Sequence, residues 1–138
     1  MTFNIYLSFQ DNCAEAFDFY KSIFGGDYEV IQKFSDGPPD MPLAEEDKDK
    51  IMHATLKVGD AILMGSDTPS QSPHPLQVGN NFSISYHCAS RDEADRIFAA
   101  LTKGGSVSMP MEDMFWGSYF GSGTDKFGIN WMIDFQTE

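Results

Sequence analysis

His53, in "IMHATLKV", is the side chain best suited to chemistry in this chain. On a strand, Thr55 and Lys57 share its face, because successive side chains alternate. An imidazole titrates near neutral pH and can give or take a proton beside a hydroxyl. His87 follows Ser83 and Ser85 at the same period in "NNFSISYHCAS". A Ser–His nucleophile also needs an orienting group and an oxyanion hole. No motif supplies either, so no catalytic residue is assigned. His74 lies among prolines in "DTPSQSPHPLQVG", a surface setting. Cys13 falls on the apolar stripe of a helix, which argues against an exposed, reactive thiol. Glu45, Glu46, Asp47 and Asp49 form a charge run expected to be a solvated loop. No HxH or HExxH spacing points to a metal.

The elements that must position these residues repeat. "FNIYLSF", residues 3–9, alternates apolar and polar residues as a strand does. Asn12 with Glu15 then fits a capping box. Cys13, Ala16, Phe17, Tyr20 and Phe24 recur at helical spacing, and Gly25-Gly26 stops the helix. The second half repeats this order. Phe82, Ile84 and Tyr86 alternate within 81–90, Ser90 with Glu93 forms a second capping box, and Ala94, Ile97, Phe98 and Leu101 recur before Gly104-Gly105.

Further strands are expected at about 27–34, 51–58 and 60–66, and again at 106–110, 117–122 and 127–135. The aromatic-rich "FWGSYFGSGTDKFGINW" becomes a closing hairpin turning at Asp125 to Gly128. The predicted architecture is α+β, one domain over 1–138 built from two βαβββ modules. These modules, about 1–67 and 80–138, are joined by a proline-rich linker. Residues 35–50, "SDGPPDMPLAEEDKDK", are expected to be a mobile loop.

The formal charge of −12 argues against nucleic acid and anionic membrane surfaces as partners. Two cysteines make no disulfide framework. The N-terminus, "MTFNIYLSFQDN", has no signal-peptide pattern, and no apolar run reaches spanning length. A cytoplasmic protein is expected.

If helices cover the more apolar face of each sheet, the opposite faces are mixed. They carry Asn4, Tyr6 and Ser8, then Ile62, Met64 and Ser66, then Ser83, Ser85 and His87, and finally Asn130, Met132 and Asp134. Such walls suit a small-molecule pocket.

Paired βαβββ modules resemble the vicinal oxygen chelate superfamily of glyoxalase I, bleomycin-resistance proteins and extradiol dioxygenases. More narrowly, "YLSFQDNCAEAFDFYKSIFGG", "IMHATLKVGDAILMGSD" and "FWGSYFGSGTDKFGINWMIDF" look like its PhnB-like branch, which also carries the label 3-demethylubiquinone-9 3-methyltransferase. The resemblance implies two cupped mixed β-sheets, usually completed in a homodimer. It also implies ligand positions on the first, fourth, fifth and eighth strands, where metal-dependent members place His or Glu. Here those positions fall near Asn4, Met64, Ser83 (or Ser85) and Met132. Thioether, hydroxyl and amide are poor ligands for a divalent ion. No cofactor is therefore expected. Nor does any Gly-rich turn open a helix, as a nucleotide-type methyl donor would require. The expectation is a metal-free homodimer holding a small, partly apolar molecule. The pocket set is Tyr6, His53, Met64, Ser83, Ser85, Phe115, Trp116, Tyr119 and Met132. The competing expectation is a metal-dependent lyase, isomerase or dioxygenase with non-standard ligands.

Overall fold

A computed structural model describes residues 1–137. Backbone contacts divide the chain into two units, Met1–Gln77 and the remainder from Val78. The proline-rich segment after Asp67 belongs with the first unit. Its Thr68 N–H donates to Phe9 O, and Ser70 bonds to Asp47.

In the first unit, β1 (Ile5–Phe9) leads into α1 (Cys13–Phe24). Then follow β2 (Asp27–Lys33), β3 (Ile51–Val58) and β4 (Ala61–Asp67). The sheet order is β1-β4-β3-β2, with β1 parallel to β4 and the other pairs antiparallel. The second unit repeats this with β5 (Ile84–His87), α2 (Arg91–Thr102), β6 (Ser106–Met114), β7 (Ser118–Thr124) and β8 (Asn130–Gln136). Its order is β5-β8-β7-β6, again with one parallel pair. The α+β class and the repeated βαβββ order are as expected.

Each helix covers one sheet face. On α1 the buried residues are Cys13, Ala16, Phe17, Tyr20 and Ile23. Ile23 takes the place expected of Phe24. Phe17 meets Phe9 edge-on with ring centroids 6.1 Å apart. It also lies so close to Gly65 that a Cβ there would come within 2.7 Å of its ring. On α2 the buried set is Ala94, Ile97, Phe98 and Leu101. This helix approaches β7 at Gly121 and Gly123, where an added Cβ would meet Phe98 and Thr102 side chains.

The two helix starts differ. Ser90 Oγ accepts from Glu93 N–H at 3.1 Å, while the Glu93 carboxylate accepts from Ala89 N–H. The expected box at Asn12 does not form, because Asn12 makes no side-chain cap. Asp67, at the end of β4, takes over. Its buried carboxylate accepts from Cys13 N–H and from Ile51 N–H, both at 2.9 Å. A long-range carboxylate has replaced a local amide.

The acidic run and β6 depart from expectation. Residues 35–50 carry 3-10 turns at Phe34–Asp36 and Glu45–Asp47 and are tied to the sheet by Phe34 N–H donating to Lys50 O. Within the charge run expected to be solvated, Asp47 is only 3% exposed. It is paired with Lys50 at 2.8 Å and accepts from Ser70. Strand β6 runs to Met114, beyond the expected 110, through two register shifts. Among the described residues, no helix is long and apolar enough to cross a membrane.

Candidate functional site

The sheet face away from α1 carries the densest set of candidate residues. Register places Tyr6 beside Met64 and Met64 beside Thr55. His53 stands two residues before Thr55 on the same face. The Tyr6 hydroxyl lies 3.3 Å from His53 Nδ1, and His53 Nε2 lies 2.9 Å from Thr55 Oγ1. The Tyr6 and His53 rings are tilted by 34° with centroids 5.7 Å apart. The line therefore runs from Tyr6, 48% exposed, to Thr55, buried at 7%.

Either imidazole tautomer satisfies both contacts. With Nδ1 accepting from the Tyr6 hydroxyl, Nε2–H donates to Thr55. With Nδ1–H donating to Tyr6, Nε2 accepts from the Thr55 hydroxyl. A polar group docked on Tyr6 would select one direction, so the line can present a donor or an acceptor to a ligand. Met64 supplies an adaptable apolar floor beside it.

The second sheet also leaves one face free of its helix. Ser85 pairs with Met132, and Ser122 pairs with Met132 from the other side. Ser83 lies just before β5 and lines a cavity of about 250 Å³ with Asn80, Ser108, Ser122, Thr124 and Asn130. Thr124 Oγ1 donates to Asn130 Oδ1 at 2.7 Å, which leaves the Asn130 amide to donate to Gly79 O and Phe82 O. His87 Nδ1 approaches Asp134 Oδ1 at 2.6 Å, but without hydrogen-bond geometry. Asp134 Oδ1 is thus buried with no hydrogen-bond donor. His87 itself is largely exposed.

Three aromatic candidates lie elsewhere. Phe115 and Trp116 sit in the turn between β6 and β7, 97% and 53% exposed, their rings edge-on at 5.1 Å. Tyr119 is on the helix-covered face of β7, and its hydroxyl donates to Asp95 of α2. That bond to a carboxylate, before burial, raises the Tyr119 pKa. Register alternation puts Tyr119 with Phe135, Gly121 and Ile133, opposite the face of Ser122 and Met132. It is a clamp on α2 rather than a wall of an open face. The signal was present in the sequence: Gly121 and Gly123 mark the side where a helix comes close, and Tyr119 shares their parity.

The remaining reactive groups are structural. Burial, then the Asp67 charge, pushes the Cys13 thiol up to about 12. Burial likewise pushes Cys88 up to about 11. Asp125, buried, accepts from Phe127 and Ile129 N–H and from Trp131 Nε1, closing the β7–β8 turn. That is the hairpin turn expected at Asp125 to Gly128, and Trp131 is core.

A divalent ion does not fit these residues. At the strand positions that the family resemblance marks for ligands, this chain offers thioether at Met64 and Met132 and hydroxyl or amide beside them. Among the described residues, no group of three or more His, Cys, Asp or Glu side chains could hold an ion.

Comparison with known proteins agrees with this fold. A structure of protein PA1353 from Pseudomonas aeruginosa is 42% identical, with a TM-score of 0.89 over 100% of this chain and 99% of that one. Protein YjdN of Escherichia coli K12 is 30% identical, covering 97% of this chain and 95% of its own length. A PhnB protein from Bacillus cereus shares the fold at 23% identity and a TM-score of 0.81, over 98% of this chain and 99% of that one. The manganese-bound fosfomycin resistance protein FosX of Listeria monocytogenes shares it at 12% identity and 0.63, over 99% of this chain and 93% of that one. Residues 1–134 match the family described as 3-demethylubiquinone-9 3-methyltransferase. The chain belongs to that family, and it shares its fold with a glyoxalase/bleomycin resistance protein/dioxygenase family enzyme from Burkholderia phytofirmans.

Proposed function

We propose that this protein binds a small, partly apolar molecule on the open face of its first sheet, without a metal, as a cytoplasmic homodimer. The Tyr6–His53–Thr55 line carries the reading. It places an amphoteric hydrogen-bonding group beside the Met64 thioether, on the face turned away from α1. A phenol or an aromatic acid has the matching form, an apolar ring with one polar end. Methyl transfer, which the family description names, finds no support in the turns that open the helices. "QDN" before α1 and "CAS" before α2 contain no glycine. The homodimer is supported by β6, an edge strand with Val107 and Met109 exposed. Such edges invite pairing unless covered. Two buried free thiols suit a reducing compartment.

Native mass spectrometry of protein taken directly from cells, followed by calorimetry with p-cresol and 4-hydroxybenzoate, tests the reading. A bound compound, or saturable heat that disappears in His53→Phe, is expected. Absence of both signals would overturn it. Elemental analysis showing one metal per chain would remove the metal-free part, and a monomer in sedimentation would remove the homodimer.

A further inference from the structure

The loops of the first unit border a second, partly open cavity, built from residues that the open-face reading does not use. Its volume is about 620 Å³, within the range of small-molecule sites. Phe34, Met41, Leu43, Pro69 and Pro73 form apolar walls, with Gln71 at the border. The cavity is held in shape rather than left to loop flexibility. Asp47 lines it and joins its two sides, pairing with Lys50 and accepting from Ser70 N–H and Oγ. Lys50 in turn reaches Asp11 at 2.6 Å. Prolines in both loops reduce the freedom that a ligand would have to remove.

Charge says what such a site would take. Asp40 immediately precedes Met41, and Glu45 and Glu46 stand between Ala44 and Asp47. The local cations are already engaged, Lys48 with Glu45 at 2.6 Å and Lys50 with Asp47 and Asp11. Asp40 and Glu46 make no ion pair among the described residues, so the loop that supplies Met41 to Asp47 to the cavity wall carries uncompensated negative charge.

We infer that this cavity is a ligand site for small hydrophobic cations, an ammonium group on an aromatic or branched aliphatic body. The apolar body would fill the space between Phe34, Leu43 and the prolines. The ammonium would sit toward that acidic loop.

The test uses the full chain with 13C-methyl-labelled methionine, because Met41 reports this cavity, Met64 the open face of the first sheet and Met132 that of the second. The probes are benzyltrimethylammonium, benzyl alcohol and phenylacetate, one ring with three charges. Benzyltrimethylammonium is expected to move Met41 saturably and to bind at least about tenfold more tightly than phenylacetate. Gln71→Lys should weaken that binding by about fivefold and Gln71→Glu should strengthen it, with unfolding midpoints unchanged. An unmoved Met41, or equal affinity for cation and anion, would overturn the inference. Response at Met64 alone would overturn it while leaving the open-face reading intact. Response at Met41 with Met64 silent to p-cresol and 4-hydroxybenzoate would support the cavity and remove the open-face reading.

Discussion

The two units repeat a backbone and differ in what they hang on it. Aligned by strand register, Tyr6 corresponds to Ser85, Met64 to Met132, Thr55 to Ser122 and His53 to Phe120. Ser8 and Ser66 correspond to His87 and Asp134. Each open face keeps a methionine at its centre and one imidazole. In the first unit the imidazole stands on β3 between a tyrosine and a threonine. In the second it stands at the edge strand, exposed, against a carboxylate. The same ladder thus presents a tunable donor–acceptor line in one copy and a close contact between an exposed imidazole and a carboxylate in the other. The repeat supplies positions; substitution at those positions decides which face can hold a ligand.

The helix starts follow the same logic and should give the largest effect. α1 depends on Asp67 from β4, whereas α2 depends on its own Ser90. Asp67→Ala leaves two amide N–H groups without their acceptor and should cost about 3 kcal/mol. Ser90→Ala should cost about 1 kcal/mol. Urea unfolding of the two variants measures the gap, and equal losses would break the contrast.

Next in size is the exchange of the first unit's imidazole for the second unit's aromatic. His53→Phe should reduce affinity for p-cresol at least about tenfold while changing stability by less than about 1 kcal/mol. Calorimetry and urea unfolding together separate loss of the site from loss of the fold. Tyr6→Phe keeps the ring and removes only the hydroxyl at the exposed end of the line. About a threefold to tenfold weakening is expected, roughly one hydrogen bond.

The smallest effect is confined to the first unit's loops. The Lys50 contact, with further bonds from Ser70, holds the Asp47 carboxyl below its ordinary value. A depressed carboxyl pKa stabilises the fold above the unfolded value and loses that contribution as pH falls through the folded one. Protection of the Ser70 amide, measured against its unstructured exchange rate, should therefore fall as pH drops below the ordinary carboxyl range, about 4, with the strands still protected.

Much of the fold was legible because it is written locally. Alternation in "FNIYLSF" and "NNFSISYHCAS", helical spacing before each Gly-Gly and the Ser90–Glu93 box all act over a few residues. The first open face was legible too, since strand parity alone puts Tyr6, Met64 and His53 on one side. What failed depended on distance or on hairpin parity. Asn12 carries the right side chain for a cap, but Asp67 arrives from the far end of the unit and takes its place. Asp47 resembled its acidic neighbours until Lys50 and Ser70 enclosed it. Tyr119 sits between residues of both faces in "SYFGSG", and only the approach of α2 at Gly121 and Gly123 assigns its side. The contact from Tyr6 across Met64 to His53 joins three strands, which no short window contains.

The central claim is that the Tyr6–His53–Thr55 face is the one that works. Methionine-methyl NMR with p-cresol and 4-hydroxybenzoate tests it most directly, because Met64 and Met132 occupy matching positions in the two sheets. The account predicts a saturable shift at Met64 that vanishes in His53→Phe, with Met132 unmoved. A shift at Met132 alone, or at Met64 but unchanged by His53→Phe, would contradict it.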